Sequence, residues 1–155
     1  GRMKRWNDDL EQTFQDVRKA LLAMVSQSDR ANAKEKSLHF GNRRQWVYGR
    51  CGQVYLRTGA RAHRGGMLPS IELASIELHP EYQECGFLTK LLDTMEELSD
   101  QVGRMVYVEC VRDGQHSPLG KCLLKRGYNI LGLVENPANF FRLPKGQKSS
   151  HDLPL

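Results

Sequence analysis

Residues 71–102, IELASIELHPEYQECGFLTKLLDTMEELSDQV, constrain the fold more than any other stretch of the chain. The run at 71–78 is apolar and rich in β-forming residues, and His79-Pro80 brings it to a stop, so it reads as a strand. Beyond Gly86, apolar residues at Phe87, Leu88, Leu91, Leu92, Met95, Leu98 and Val102 recur at the three-and-four spacing of a helix. Asp93, Glu96, Glu97 and Asp100 fall on its wet side. The chain therefore passes from a strand, through one tight bend, directly into an amphipathic helix.

That bend carries a chemical implication. The first amides of a helix have no partner within it, and the aligned peptide dipoles place roughly half a positive charge there. Gly86 has no side chain, so an anion such as a phosphate can approach the main chain closely at this point.

The other elements follow from the same periodicities. Leu10, Phe14, Val17, Leu21, Met24 and Val25 predict a helix over 6–26, capped by Asn7 or Asp8. The polar segment 28–36 reads as a short second helix or a loop. Runs at 45–48 and 53–57 predict a hairpin, and 58–67 is either the frayed end of a strand or a loop turning at Gly65-Gly66. The apolar run 104–111 predicts a buried strand parallel to 71–78, because a helix separates them. Ser117 and Pro118 open a helix over 117–125, Gly127 ends it, and strands follow at 129–134 and 139–143.

Two stretches carry a family resemblance. Pro80-Glu81-Tyr82-Gln83-x-x-Gly86, between a strand and a helix, resembles the acetyl-CoA motif of the GNAT superfamily of N-acetyltransferases, Gln/Arg-x-x-Gly-x-Gly/Ala after Pro-Glu-Tyr. Leu88 stands where the family has Gly or Ala, and Cys85 replaces a common basic residue. The segment 116–128 resembles the family's second motif, with Gly127-Tyr128 at its Gly-Phe, His116 at its usual Asn and Leu123 where a Tyr often acts as general acid. The resemblance spans about residues 45–144. It implies a single α/β domain: a mixed, mostly antiparallel sheet, helices on both faces, and a central strand pair that splays to hold acetyl-CoA. Within that domain, 1–44 is an N-terminal helical segment, 45–144 the cofactor-binding core and 145–155 a tail. It further implies that Gln83, Glu84, Cys85, Gly86, Phe87, Leu88 and Thr89 hold the pyrophosphate, that the main chain of Ile76 and Leu78 binds the pantetheine arm, and that His116 borders the cofactor.

Acetyl transfer to an amine needs the free base. Deprotonating a lysine-like amine of pKa about 10.4 at pH 7 costs about 4.6 kcal/mol, so a general base is useful. Glu72 lies at the spacing from Gly86 that the resemblance gives for the catalytic Glu of histone-acetylating members, and burial on the sheet is expected to raise its pKa. Glu77 competes for the role. Residues five apart face opposite sides of a regular strand, so one of the two should face the cleft unless a bulge intervenes, as it often does in the family. Otherwise both glutamates are structural, paired with arginines or exposed at the sheet edge. For the departing thiolate, Cys122, His116 and Tyr128 are weaker candidates as acid than as, respectively, a small buried residue, a residue ahead of a helix and a core ring. A free thiol of pKa near 8.5 also leaves acceptably unaided.

Composition sets the remaining bounds. The chain has 155 residues, 39% hydrophobic and 26% charged, which suits one domain with a single core and no apolar run long enough to span a bilayer. No secretory leader opens it, and Gly1-Arg2 ahead of Met3 reads as an expression remnant. Cysteines at 51, 85, 110 and 122 show no zinc or disulfide spacing, so a reducing cytoplasm is the expected setting and no metal is expected. The net charge of +5 is uneven: residues 29–65 hold nine Lys or Arg against two acids, while 71–113 hold ten acids against three bases. The basic half is compatible with an anionic partner, nucleic acid included, with Trp46, Tyr48 and Tyr55 able to stack bases. Solvated charge and core aromatics are the commoner reading of such patterns. The expected activity is acetyl transfer from acetyl-CoA to an amine, on a small molecule or a protein, by direct attack. The alternative is a GNAT-like binding or structural module that has lost catalysis, with or without nucleic-acid association. A dimer is compatible with the sequence, and the acceptor is not legible in it.

Overall fold

The computed structural model describes residues 5–38, 41–131 and 136–146. Helix α1 (Asp8–Glu35) leads into strands β1 (Arg43–Gly49), β2 (Gly52–His63) and β3 (Gly66–Leu78). Helix α2 (Phe87–Val102), strand β4 (Met105–Val111), helix α3 (Pro118–Lys125) and strands β5 (Asn129–Ile130) and β6 (Ala138–Arg142) complete the order. The sheet runs β1-β2-β3-β4-β6-β5, and its pairs are antiparallel except β3 with β4. This is the mixed, mostly antiparallel α/β sheet that the sequence implies. No described helix is long and apolar enough to cross a membrane.

Asn7 starts α1, its Oδ1 accepting the Leu10 amide at 3.0 Å, and Asp8, Asp9 and Glu11 in the first turn suit the dipole. The helix runs well past residue 26, where the hydrophobic periodicity fades. A buried arginine explains the extension. Arg104 is 0% exposed and bonds Ser28 Oγ at 2.7 Å and Asp29 Oδ1 at 2.7 and 3.0 Å, while its Nη1 donates to the Ser70 carbonyl at 2.8 Å. The polar segment is thus held helical by a tertiary contact. The 58–67 ambiguity resolves as a continuous hairpin: β2 reaches His63, opposite Gly66, and Arg64 and Gly65 turn the chain with φ of 46° and 83°. Two successive positive φ values are what a type I′ hairpin turn requires. Of the expected strand 129–134, residues 129–130 are paired and 132–135 lie outside the described residues. The last strand covers 138–142 rather than 139–143.

One face of the sheet builds the main core. Val54, Leu56, Ile71, Leu73, Val106 and Val108 meet Leu10, Phe14 and Leu21 of α1 and Phe87, Leu91, Leu92 and Met95 of α2. Phe87, 1% exposed, contributes roughly 1.5–3 kcal/mol by burial, and its ring meets those of Trp6 and Phe14 at 6.4 and 6.1 Å. The chain after α3 is tied to α2, with Arg126 Nε donating to Glu96 at 2.9 Å and the Tyr128 hydroxyl donating to the same carboxylate at 3.0 Å. The opposite face holds a small cluster of Leu68, Met105, Tyr107, Phe141 and Leu143 with no helical residue in it. Among the described residues, α1, α2 and α3 all contribute side chains to the larger cluster.

Candidate active site

The bend that ends β3 is built from short-range hydrogen bonds and left-handed residues. Pro80–Tyr82 forms a 3-10 turn, anchored to α1 by the Tyr82 hydroxyl donating to Asp9 Oδ2 at 2.8 Å. Gln83 Nε2 donates back to the Leu78 carbonyl at 2.9 Å. Glu84 and Gly86 have φ of 59° and 88°, and Cys85, 5% exposed, directs its thiol to the Gln83 carbonyl at 3.5 Å. The first helical bond of α2 runs from the Lys90 amide to the Gly86 carbonyl at 3.0 Å, so the amides of Phe87, Leu88 and Thr89 have no acceptor inside the helix.

The two long helices begin differently. Where α1 has an Asn cap and three acids in its first turn, α2 has no capping side chain and no acid there. Its partial positive charge is left uncompensated, and an anion placed there gains both the dipole and the free amides. Glu84 is exposed to solvent, Phe87 is committed to the core and Leu88 packs partly against it. Lys90 lies over the Trp6 ring at 4.6 Å, with Glu11 at 3.4 Å.

Beside this bend the parallel pair opens. The ladder between β3 and β4 covers only Ser70–Leu73 against Met105–Val108. Ala74 is an extra residue in β3, since Tyr55 pairs with Ser75 and the next residue, Leu56, with Leu73. Such a bulge bends and twists its strand. Beyond it lies a cleft of about 340 Å³ lined by residues 73–77 of β3, 108–112 of β4 and the next segment, and Leu119 of α3. Here β3 keeps β2 on one side and, among the described residues, has no strand on the other, so outward main-chain groups of β3 can pair with an extended ligand. Ile76 and Glu77 also border a second recess of about 600 Å³, shared with Gln53, Leu78, His79 and Gln83.

The bulge decides how the two glutamates relate. Arg57 pairs with Glu72 and Gln53 with Glu77. Alternate residues of β2 share a face, so both glutamates point to the same, open side of the sheet. Their surroundings differ sharply. Glu72 is 3% exposed, with one carboxylate oxygen accepting Arg57 Nε at 3.0 Å and Arg61 Nη2 at 2.8 Å, and the other accepting Arg61 Nε at 2.8 Å and Ser70 Oγ at 2.7 Å. Burial pushes its pKa up, but the Arg61 and Ser70 hydrogen bonds and the charges of Arg61 and Arg57 outweigh burial and hold the carboxyl below its ordinary range. This reverses the expectation that burial would raise it. Glu72 does not line the cleft. Glu77 is exposed, accepts Gln53 Nε2 at 3.1 Å, and lines both the cleft and the recess.

The other candidates lie elsewhere. His116 is exposed in the 3-10 turn Gly114–His116, its ring 3.5 Å from Gln115, and the cleft residue on that side is Leu119. Leu123 is fully buried, and Cys122 packs on the core. Tyr128 is a core ring whose pKa is driven far up by burial and by Glu96. Sequence reasoning missed the Arg57, Arg61 and Glu109 cluster: Arg57 Nη2 lies 2.7 Å from Glu109, and the Arg61 guanidinium sits 4.1 Å above the Tyr107 ring. The four-residue spacing of Arg57 and Arg61 puts both on one strand face, a signal readable only once their carboxylate partners are known.

No protein-family model and no curated protein matches the chain. Among solved structures, it is similar to a KacTA–DNA complex, at 21% identity and a TM-score of 0.40. It is also similar to a mutant AtaT toxin bound to the C-terminus of the antitoxin AtaR and acetyl-CoA, at 19% and 0.42, and to that mutant with AtaR alone, at 18% and 0.41. Each match covers 61% of this chain and 59% of the other.

Proposed function

We propose that this domain transfers an acetyl group from acetyl-CoA to an amine, by direct attack within a ternary complex. The observation that carries the reading is the uncapped, acid-free N-terminus of α2 opening beside a cleft between two parallel strands. A diphosphate fits the first feature, because free amides and the helix dipole favour it. An extended amide-bearing arm fits the second, because one side of β3 lacks a strand there. The cofactor supplies an activated acyl thioester, and the chain's residues supply the rest.

The amides of 87–89 and the bend at Gln83–Gly86 hold the diphosphate. The outward main-chain groups of Ile76 and the Leu78 amide align the arm, the Leu78 carbonyl already accepting from Gln83, and an amide of this strand polarises the thioester carbonyl where negative charge develops. Glu77 is the base: it is solvent-accessible, borders both cavities and accepts a hydrogen bond from Gln53 that holds it. As the amine nitrogen bonds to the carbonyl carbon and the carbon–sulfur bond breaks, Glu77 takes the amine proton. The thiolate leaves unassisted, since Leu123 offers no proton. Glu72 is a structural carboxylate.

The test is thiol release from acetyl-CoA over a panel of amines, with Glu77→Gln alongside. General-base loss lowers kcat by about 10²-fold or more with the thermal midpoint unchanged. An undiminished Glu77→Gln rate removes Glu77 from the mechanism. Binding of acetyl-CoA without thiol release on any amine would return the domain to the catalytically lost binding module.

A further inference from the structure

The open face of the β1–β2 hairpin carries a second constellation. Val47, Val54 and Leu56 point to the helices and are buried, whereas Trp46, Tyr48 and Tyr55 point away. Trp46 is 40% and Tyr48 68% exposed. These rings are not the core residues that aromatics on strands usually are. They stack on one another: Trp46 on Tyr55 at 4.6 Å and 7°, and Trp46 on Tyr48 at 5.9 Å and 14°. The Arg57 guanidinium follows at 5.8 Å from the Tyr55 ring. A row of flat faces thus crosses the hairpin, with its outer end, at Tyr48, in water.

Next to that row is a groove of about 470 Å³ lined by Arg43, Arg44, Arg57 and Arg61 over Thr58, Gly59 and Glu72. Arg44 stands directly opposite Arg57 in the ladder, and like charges in that position are destabilising. Glu72 and Glu109 are already paired with Arg57 and Arg61. Among the described residues, the Arg44 side chain has no ion-pair partner. The surface therefore presents surplus positive charge beside exposed, parallel π-faces.

We propose that this face binds single-stranded nucleic acid, with a base stacked on the open end of the row at Tyr48, which Trp46 backs, and phosphates in the arginine groove. The two features select this occupant together. An acidic protein segment satisfies the arginines but leaves the ring faces in water, and a duplex satisfies the arginines while keeping its base faces hidden. Base stacking on aromatic side chains is worth roughly 1–3 kcal/mol per base and tolerates any sequence. The inference is independent of acetyl transfer.

The experiment is fluorescence anisotropy of a dye-labelled oligothymidine titrated with the full chain. Binding is expected at about 50 mM salt and is expected to weaken steeply toward about 200 mM. Trp46→Ala should lower affinity roughly 5- to 150-fold, Trp46→Phe should restore most of it, and Arg44→Ala should reduce the salt slope by about one. Trp46 lies outside the core, and a circular dichroism melt checks that each variant stays folded. The proposal is overturned by absent binding at low salt, or by a Trp46→Ala and Tyr48→Ala double variant that binds like the parent. It is equally overturned by equal affinity for a duplex, or by an oligoglutamate peptide that binds as tightly as the oligonucleotide.

Discussion

Replacing Glu72 with glutamine separates a structural carboxylate from a catalytic one. The Glu72 side chain is 4% exposed and sits beneath two guanidiniums, Arg57 at 26% and Arg61 at 33% exposure. Removing its charge leaves those cations facing a neutral amide, with Glu109 as their remaining carboxylate among the described residues. Breaking a buried ion pair from one side costs roughly 3–5 kcal/mol. Both arginines keep some water and Glu109 remains, so the low end applies, about 3 kcal/mol. For a domain of this size that lowers the thermal midpoint by roughly 6–12 °C. The pH dependence has a definite sign. The folded-state pKa of Glu72 is depressed, so its stabilisation is complete above the unfolded value of about 4.3 and is lost as pH falls through the folded value. Parent and Glu72→Gln melting curves should therefore differ at pH 7 and converge on acidification below about pH 4. Circular dichroism melts across that range read both effects. A Glu72→Gln protein as stable as the parent at pH 7, yet with kcat reduced about 10²-fold, would refute the reasoning and restore Glu72 as the base.

Two further substitutions probe what positions the site. Arg104→Met should cost roughly 3–5 kcal/mol, because the Ser70 carbonyl and the Ser28 hydroxyl lose a buried donor; far-ultraviolet circular dichroism should also show lost helix as the end of α1 frays. Gly52→Ala should lower both the melting midpoint and kcat, because a Cβ at Gly52, whose φ is 147°, runs into the Glu77 main-chain carbonyl and must displace the end of β3. Unchanged kcat in that variant would show that the position of Glu77 is immaterial.

What could be read from the sequence is what depends on neighbours along the chain. Strand β3, helix α2 and the bend between them follow from local periodicity and from Pro80 and Gly86; α2 and the end of β3 appear where expected, while β3 begins earlier, at Gly66. The cap at Asn7 and the Ser117-Pro118 helix start were legible for the same reason. The length of α1 was not, because Arg104, distant in sequence, holds its polar end. Nor was the relation of Glu72 to Glu77, which turns on one inserted residue at Ala74. The expected rise in the Glu72 pKa failed because burial was foreseeable, whereas Arg57 and Arg61 reach it only through the strand register. Trp46, Tyr48 and Tyr55 show the same limit: alternation says that they share a face, and only the packing of the helices says which face is open.

Isothermal titration calorimetry with acetyl-CoA, on the parent and on Gly86→Ala, tests the central claim most directly. Alanine at a φ of 88° is strained by roughly 1–2 kcal/mol and adds a methyl group where the diphosphate must approach. Saturable binding by the parent, weakened at least about tenfold in a folded Gly86→Ala protein, is the expected result. Absence of binding heat at high micromolar acetyl-CoA, or equal affinity in the two proteins, would contradict it.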